Sequence, residues 1–394
     1  MRVLFNGASA IKAKSGVGHT TANLHRALSE YYPHDTFWLY PGDRVANLAR
    51  RVVARPNRGP LAHRPTKSKP AGKLAAIFKR VAQTLNRVAL RTVARWGNFH
   101  LYHEPNFVPV RTSLPTVVTV HDLSVILHPE WHPADRVKLH ERHFATGLAA
   151  SQHVVVVSHA VRAELIAHVG VRPENVTAVH WGIGSEFRPH TPAEIASVRA
   201  RLGLPPRFLL YVGTIEPRKN VRTLLRAFRD LPASVREACP LVLAGGWGWK
   251  SEPERELFAE TQSLGVRHLG YVPDGDLPAL YAAADALLYP SYYEGFGLPP
   301  VEMMACGGAA IVSTADAVRE VVGGHAAVVH PDDLQGWRDA MRRATTEPDW
   351  LAGLRRGGVA HAATFTWESA ARETFGVYQR VLGISPQSAS RRAA

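Results

Sequence analysis

The sequence is poor in cysteine, in long apolar runs and, over one stretch, in acid. Two cysteines in 394 residues, Cys239 and Cys306, cannot build a disulfide framework or a four-thiolate zinc site. They point to a reducing compartment. No apolar run reaches the roughly 18–20 residues that span a bilayer. The opening MRVLFNGASA breaks at Asn6-Gly7 after a short apolar run, too short for the core of a secretory leader. A cytoplasmic protein is therefore expected. Between Arg44 and His103 there is no Asp or Glu, yet the stretch holds 14 of the 47 Lys and Arg residues. The other basic residues balance the 33 acidic ones, so this segment carries the whole formal charge of +14. An excess confined to one segment predicts one acidic partner surface.

What is present is an ordinary globular composition, 46% hydrophobic and 20% charged, which excludes disorder, collagen-like repeats and a coiled coil. The length suggests two domains. Apolar runs of strand length alternate with helical patterns, the alternation that builds a parallel sheet covered on both faces. The first half predicts strands at Arg2–Asn6, Thr36–Tyr40, Pro115–His121, His153–Val157 and Val176–His180. Helices are expected at Gly18–Glu30, Lys73–Trp96, Ala134–Ala150 and His159–Val169. A proline-rich connector, Gly184–Pro206, holds one short helix, Pro192–Leu202. Strands resume at Phe208–Ile215, Leu241–Ala244, Val266–Leu269, Ala286–Tyr289, Ala309–Ser313 and Ala326–His330, and helices close the chain at Glu347–Ala363 and Trp367–Leu382. In such α/β proteins ligands bind at the carboxyl ends of strands and between domains.

The sharpest motif is ALLYPSYYEGFGLPPVEMMACGG, Ala286–Gly308. It reads as strand, glycine-containing loop, then a helix with Pro299 and Pro300 in its first turn, where proline removes no helical bond. Gly295 and Gly297 let backbone and ligand approach closely. Free N–H groups and the positive dipole end at Phe296–Leu298 suit a phosphate. Glu294 and Glu302 bracket that start and are placed to bind hydroxyls, so the sum reads as a sugar-nucleotide site. The second motif is GTIEPRKN, Gly213–Asn220. Arg218 and Lys219 stand where a helix begins, against its dipole. They form either a solvated pair or, as favoured beside the first motif, a phosphate clamp. A third loop, KSGVGHTTANL at Lys14–Leu24, follows the first strand but lacks the third glycine of the dinucleotide fingerprint.

These residues resemble the retaining glycosyltransferases of family four, with the GT-B fold: two Rossmann-like parallel-sheet domains. The likeness runs from RVLFNG to TFTWESAA and includes VTVHD (Val118–Asp122) and VVVVSHAV (Val154–Val161). It implies an acceptor-side domain at 1–185 with a basic, membrane-facing segment at 44–103, a linker at 186–206 and a nucleotide-sugar domain at 207–365. A helix crossing back to the first domain at 366–383 and a flexible tail at 384–394 complete it. By the same resemblance, Lys219, Arg218 and the backbone of Phe296, Gly297 and Leu298 contact the donor diphosphate. Glu294 orients the sugar, Glu302 holds the ribose, and His121 stands at the reacting centre. Gly16 and Gly18 form a loop facing the donor, which Gly213, Thr214 and Gly295 also line. Thr214 stands where many relatives carry arginine, and Ala309 where proline is usual. The pattern looks most like bacterial GDP-mannose-dependent α-mannosyltransferases of exopolysaccharide assembly, of the type that acts on cellobiosyl-diphosphopolyprenol. It implies a lipid-linked saccharide acceptor and no cofactor. The leaving nucleoside diphosphate is expected to act as base in a front-side substitution with retention. The rival is double displacement through Glu294.

Several other signals are set aside. Asp274-Gly275-Asp276 has the form of a metal-binding motif, but Asp276 precedes a helical run and reads as its N-cap. His140 and His143 lack HExxH spacing and read as exposed helix positions, so metal independence is expected. On Lys73–Trp96 the residues Leu74, Ile77, Phe78, Val81, Leu85 and Val88 form one stripe. It either packs on the first sheet or lies on an anionic membrane, with the basic Arg50–Lys69 loop reaching lipid. Nucleic-acid binding is the other class that suits a basic segment, but only Phe78 interrupts the tract before Trp96 and no nucleic-acid module is present. A GT-B epimerase or phosphorylase is a third.

Overall fold

The computed structural model describes residues 1–11, 16–41 and 73–384. Lys14 and Ser15 of the third loop, the Arg50–Lys69 loop, the tail from 385 onward and the side chains of 73–83 lie outside the described residues.

Two six-stranded sheets are present, each flanked by helices. The first joins β1 (Arg2–Asn6), β2 (Thr36–Tyr40), β3 (Leu101–Glu104), β4 (Thr116–Val120), β5 (His153–Val156) and β6 (Val176–Ala178) in the order β2-β1-β3-β4-β5-β6. The second holds β7 (Leu209–Val212), β8 (Leu241–Ala244), β9 (Val266–Gly270), β10 (Ala286–Tyr289), β11 (Ala309–Ser313) and β12 (Ala327–Val329). Its order is β12-β11-β10-β7-β8-β9, with every neighbouring pair parallel. From the far edge this is the doubly wound pattern 3-2-1-4-5-6, whose strand order reverses between β7 and β10. A crevice at the carboxyl ends of those two strands follows from that reversal.

The chain divides into two compact units: Met1–Val120, His143–Val155 and Ala371–Ala394 form one, and His121–Arg142 with Val156–Ala370 the other. In the first, the last helix (Trp367–Val381) contributes Phe375, stacked on Tyr32 at 3.7 Å, and Tyr378, bonded to His103 Nδ1. In the second, Leu224, Leu225 and Phe228 from the Val221–Arg229 helix pack on Leu209, Leu241, Leu288 and Trp337 in a continuous core.

The structure corrects four expectations. Strand β3 was not expected: His103 and Glu104 interrupt its apolar pattern, yet both are buried. His103 binds Thr119 Oγ1 at 2.8 Å, and Glu104 accepts from Tyr102 Oη at 2.6 Å and Asn6 Nδ2 at 2.8 Å. The Glu347–Ala363 helix is two helices, Pro348–Arg355 and Gly358–Ala362, broken where Gly357 takes φ +76°. His140 is buried, its Nδ1 against the Arg136 carbonyl at 3.0 Å. Asp276 precedes the Leu277–Ala283 helix but makes no side-chain cap, because its carboxylate pairs with Arg201 at 2.6 Å. The expected Pro192–Leu202 helix does form, closed at its start by a capping box between Thr191 and Glu194.

On the Lys73–Trp96 helix, Leu90 and Ala94 pack against Leu4, Phe99 and Tyr102. Leu85 and Val88, at the described end of the stripe, are 63% and 52% exposed. That end does not pack on the sheet.

Candidate active site

Both motifs leave the carboxyl ends of the two central strands of the second sheet. After β7 the chain makes a single 3-10 turn, Pro217–Lys219, before the Val221–Arg229 helix. Arg218 and Lys219 therefore precede that helix rather than begin it. After β10 the chain runs through Ser291–Gly297 into the Leu298–Ala305 helix, with both prolines in its first turn. Gly297 reaches φ +103°, a conformation open to glycine but costly for other residues. Hydrogen bonds tie the two loops together. Tyr292 N–H donates to the Arg218 carbonyl at 2.9 Å, and Asn220 Nδ2 donates to the Pro290 carbonyl at 3.2 Å.

Glu294 is the hub. Its Oε1 accepts from Lys219 Nζ and from Ser291 Oγ at 2.7 Å, and its Oε2 accepts from Arg218 Nη1 at 2.8 Å. Arg218 also pairs with Glu216 at 3.1 Å, and Lys219 Nζ donates to Tyr289 Oη at 3.2 Å. The side chains of Arg218 and Lys219 are only 13% and 12% exposed, so the solvated-pair reading does not hold. Burial pushes the Glu294 carboxyl up, but the charges of Lys219 and Arg218 outweigh it and bring its pKa down to about 2. Burial and the Arg218 charge lower the Lys219 ammonium, with Glu294 and Glu216 opposing them. Glu302 is placed differently. Burial pushes its carboxyl up to about 7, and its one described hydrogen bond comes from Tyr281 Oη at 2.8 Å. One carboxylate is thus locked ionised while the other stands near its titration point. Together they offer cations and the backbone N–H groups of Gly297 and Leu298, Pro299 and Pro300 having none, for an anion, and a carboxylate for hydroxyls.

His121 meets this loop through its backbone. A Cβ placed on Gly295 would lie 1.8 Å from the His121 carbonyl oxygen, while Ser158 Oγ donates to the Gly295 carbonyl at 2.7 Å. The His121 ring packs on Trp181 at 6.0 Å. Gly295→Ala is expected to destabilise the protein by about 3 kcal/mol, because backbone rather than a movable side chain fills the space. Urea unfolding checks this, and an unchanged midpoint would refute the contact.

Two family models match the chain: "Glycosyltransferase Family 4" over residues 14–187 and "Glycosyl transferases group 1" over 195–356. The O-antigen chain mannosyltransferase B of Escherichia coli is 36% identical over 387 residues, covering 96% of this chain and all of that one. The chain belongs to the family 4, group 1 glycosyltransferases. A D-inositol 3-phosphate glycosyltransferase of Salinispora arenicola is 29% identical, over 89% of this chain and 81% of its own. The serotype-specific mannosyltransferase WbdA of Escherichia coli is 31% identical over 69% of this chain, which spans about a third of WbdA's length. Among solved structures, HepE of Anabaena in complex with UDP and glucose superposes with a TM-score of 0.65 at 20% identity, over 96% of this chain and 100% of that one. WaaG, a glycosyltransferase involved in lipopolysaccharide biosynthesis, gives 0.65 at 18%, over 95% and 98%. The expected GT-B fold is therefore present.

In this glycosyltransferase the structure places Arg218 and Lys219 after β7 and Glu294, Gly295, Phe296, Gly297 and Leu298 after β10, with Glu302 in the Leu298–Ala305 helix and the His121 carbonyl against Gly295. Gly213 and Thr214 lie at the end of β7, with Thr214 exposed and its carbonyl accepting from Tyr211 Oη at 3.1 Å. Gly16 and Gly18 open the Gly16–Tyr31 helix in the other unit. Sequence reasoning missed Glu216, Ser291, Tyr281 and Tyr289, all ordinary residues in a one-dimensional reading. It quoted Asp122 without a role. Burial pushes the Asp122 carboxyl up, yet the Arg218 charge and hydrogen bonds from Ser124 bring it to about 2. Among the described residues no helix is long and apolar enough to cross a membrane.

Proposed function

We propose that this glycosyltransferase is a retaining α-mannosyltransferase. It takes mannose from GDP-mannose and adds it to a polyprenyl-diphosphate-linked saccharide during bacterial polysaccharide synthesis. The observation that carries the reading is the Glu294 cluster beside the start of the Leu298–Ala305 helix: two largely enclosed cations and the backbone N–H groups of Gly297 and Leu298 where a leaving diphosphate needs its charge stabilised. The mannose assignment is supported by the end-to-end match with the O-antigen chain mannosyltransferase B. Glu302, held half-protonated near neutral pH, binds the nucleotide ribose, and its ionised form accepts the hydroxyls.

Both oxygens of Glu294 are engaged by Lys219, Arg218 and Ser291, and its pKa of about 2 makes it a weak nucleophile. Front-side substitution is therefore favoured. The bond from the sugar to the diphosphate oxygen breaks, the acceptor oxygen bonds the same face, and the acceptor proton passes to the departing phosphate. A covalent mannosyl adduct on Glu294 would favour double displacement instead. The exposed Leu85 and Val88 on a helix that also carries Arg87 and Arg91 suit peripheral contact with an anionic membrane on the cytoplasmic side.

The test is a donor panel read by melting shift and turnover. GDP-mannose is expected to bind best and to yield an α-linked product by NMR. Its affinity is expected to rise as pH climbs through about 7, a slope absent in Glu302→Gln. Preference for a UDP-sugar, or a β-linked product, overturns the assignment.

A further inference from the structure

Outside the cluster around Glu294, three potential metal ligands converge in the same unit. His159 opens the His159–Val169 helix, His180 follows β6, and Glu320 lies on the Asp316–Val322 helix. One ligand atom from each falls within 4.8 Å of the others. We propose that His159, His180 and Glu320 bind one divalent transition-metal ion of the zinc type, which staples together the segments behind the Gly295–Leu298 turn.

The donor set fits that class. Two imidazoles and a carboxylate suit zinc and its neighbours rather than magnesium or calcium, and three protein ligands leave a fourth position for water. The carboxylate is already oriented. Glu320 Oε1 accepts from His159 N–H at 2.8 Å and Oε2 from Ala160 N–H at 2.9 Å, leaving lone pairs on both oxygens. The His180 ring packs beside both Phe296 and Phe365, with centroids at 5.8 and 5.7 Å, and its Nε2 meets Glu320 Oε1 at 2.5 Å. The exposed His159 ring stands edge-on to it at 5.5 Å.

Ligand atoms about 2.0–2.1 Å from a tetrahedral ion stand roughly 3.3 Å apart. The His180–Glu320 contact must therefore open slightly as the ion replaces the hydrogen bond, and the His159 ring must swing in.

The site is separate from the proposed donor site but touches its support. Ser158, one residue before His159, bonds the Gly295 carbonyl, and the Glu320 helix presents Val318 and Val321 to the space beside Gly297. A bound ion would hold these segments in register without entering the reaction.

The test uses metal-stripped full chain without substrate, so it stands apart from the donor assignment. Zn²⁺ is titrated by calorimetry and melting, and Co²⁺ by its visible absorption. One Zn²⁺ per chain and a raised melting temperature are expected, with no shift from Mg²⁺ or Ca²⁺. His159→Ala, at an exposed position, is expected to keep the metal-free melting temperature and lose at least about tenfold in Zn²⁺ affinity. His325→Ala, in a separate histidine pair with His361, is expected to bind as the parent does. Absence of saturable Zn²⁺ uptake by the unaltered protein, or unchanged affinity in His159→Ala, overturns the site.

Discussion

Under the proposed function, Lys219→Ala is expected to lower kcat with GDP-mannose by about 10²–10³-fold, the usual cost of losing one preorganised donor to a developing anion. The ammonium is almost enclosed, lies between Glu294 and Tyr289, and stands next to Arg218. In that setting a charge acts through little water and needs no reorganisation as the diphosphate departs. Lys219→Arg is not expected to rescue. The guanidinium is larger and planar, and Arg218 already occupies the neighbouring oxygen of Glu294. Steady-state kinetics with a saturating acceptor decide the matter. A loss below about tenfold would rule out the proposed role of Lys219 in stabilising the leaving group.

Glu294→Gln is expected to damage both activity and stability. Breaking a buried ion pair by removing one partner costs about 3–5 kcal/mol, because the other charge stays buried without compensation. Here two cations, Arg218 and Lys219, lose the same anion, although Glu216 still pairs with Arg218. The pH dependence has a definite sign. The folded pKa of Glu294 is about 2 against an ordinary 4.5, so its ion pairs contribute their full stability above pH 4.5. That stability is lost as pH falls from there toward 2. Urea titrations at pH 7 and pH 3 should show the variant less stable at neutrality, with the gap narrowing at acid pH. A constant gap would show that the loss comes from packing rather than charge.

The parts that were legible in sequence share a short range. Strand Leu241–Ala244, and Ala309–Ser313 up to its last residue, are continuous apolar runs, as strands buried on both faces tend to be. Glycine and proline marked the turn into the Leu298–Ala305 helix, since Gly297 and Pro299 act through local dihedrals. Strand β3 escaped because Tyr378 and Thr119, which satisfy His103, and Asn6, which joins Tyr102 in satisfying Glu104, are distant in the chain. Asp276 misled for the same reason: Arg201, 75 residues away, takes the carboxylate that a local reading gave to the helix start.

Sequence alone determined the α/β class and the segment that carries the net charge, and it singled out the Gly213–Asn220 and Ala286–Gly308 motifs as candidates for the chemistry. Each is a property of composition or of residues a few positions apart. Only the tertiary structure decided that Arg218 and Lys219 are largely enclosed and paired with Glu216 and Glu294 rather than solvated. It likewise decided that Gly295 faces the His121 carbonyl and that two histidines and a glutamate meet around the start of one helix. Charge state and close approach depend on which strands become neighbours. That is set by the β7/β10 reversal of strand order, which brings together loops 70 residues and more apart in the chain.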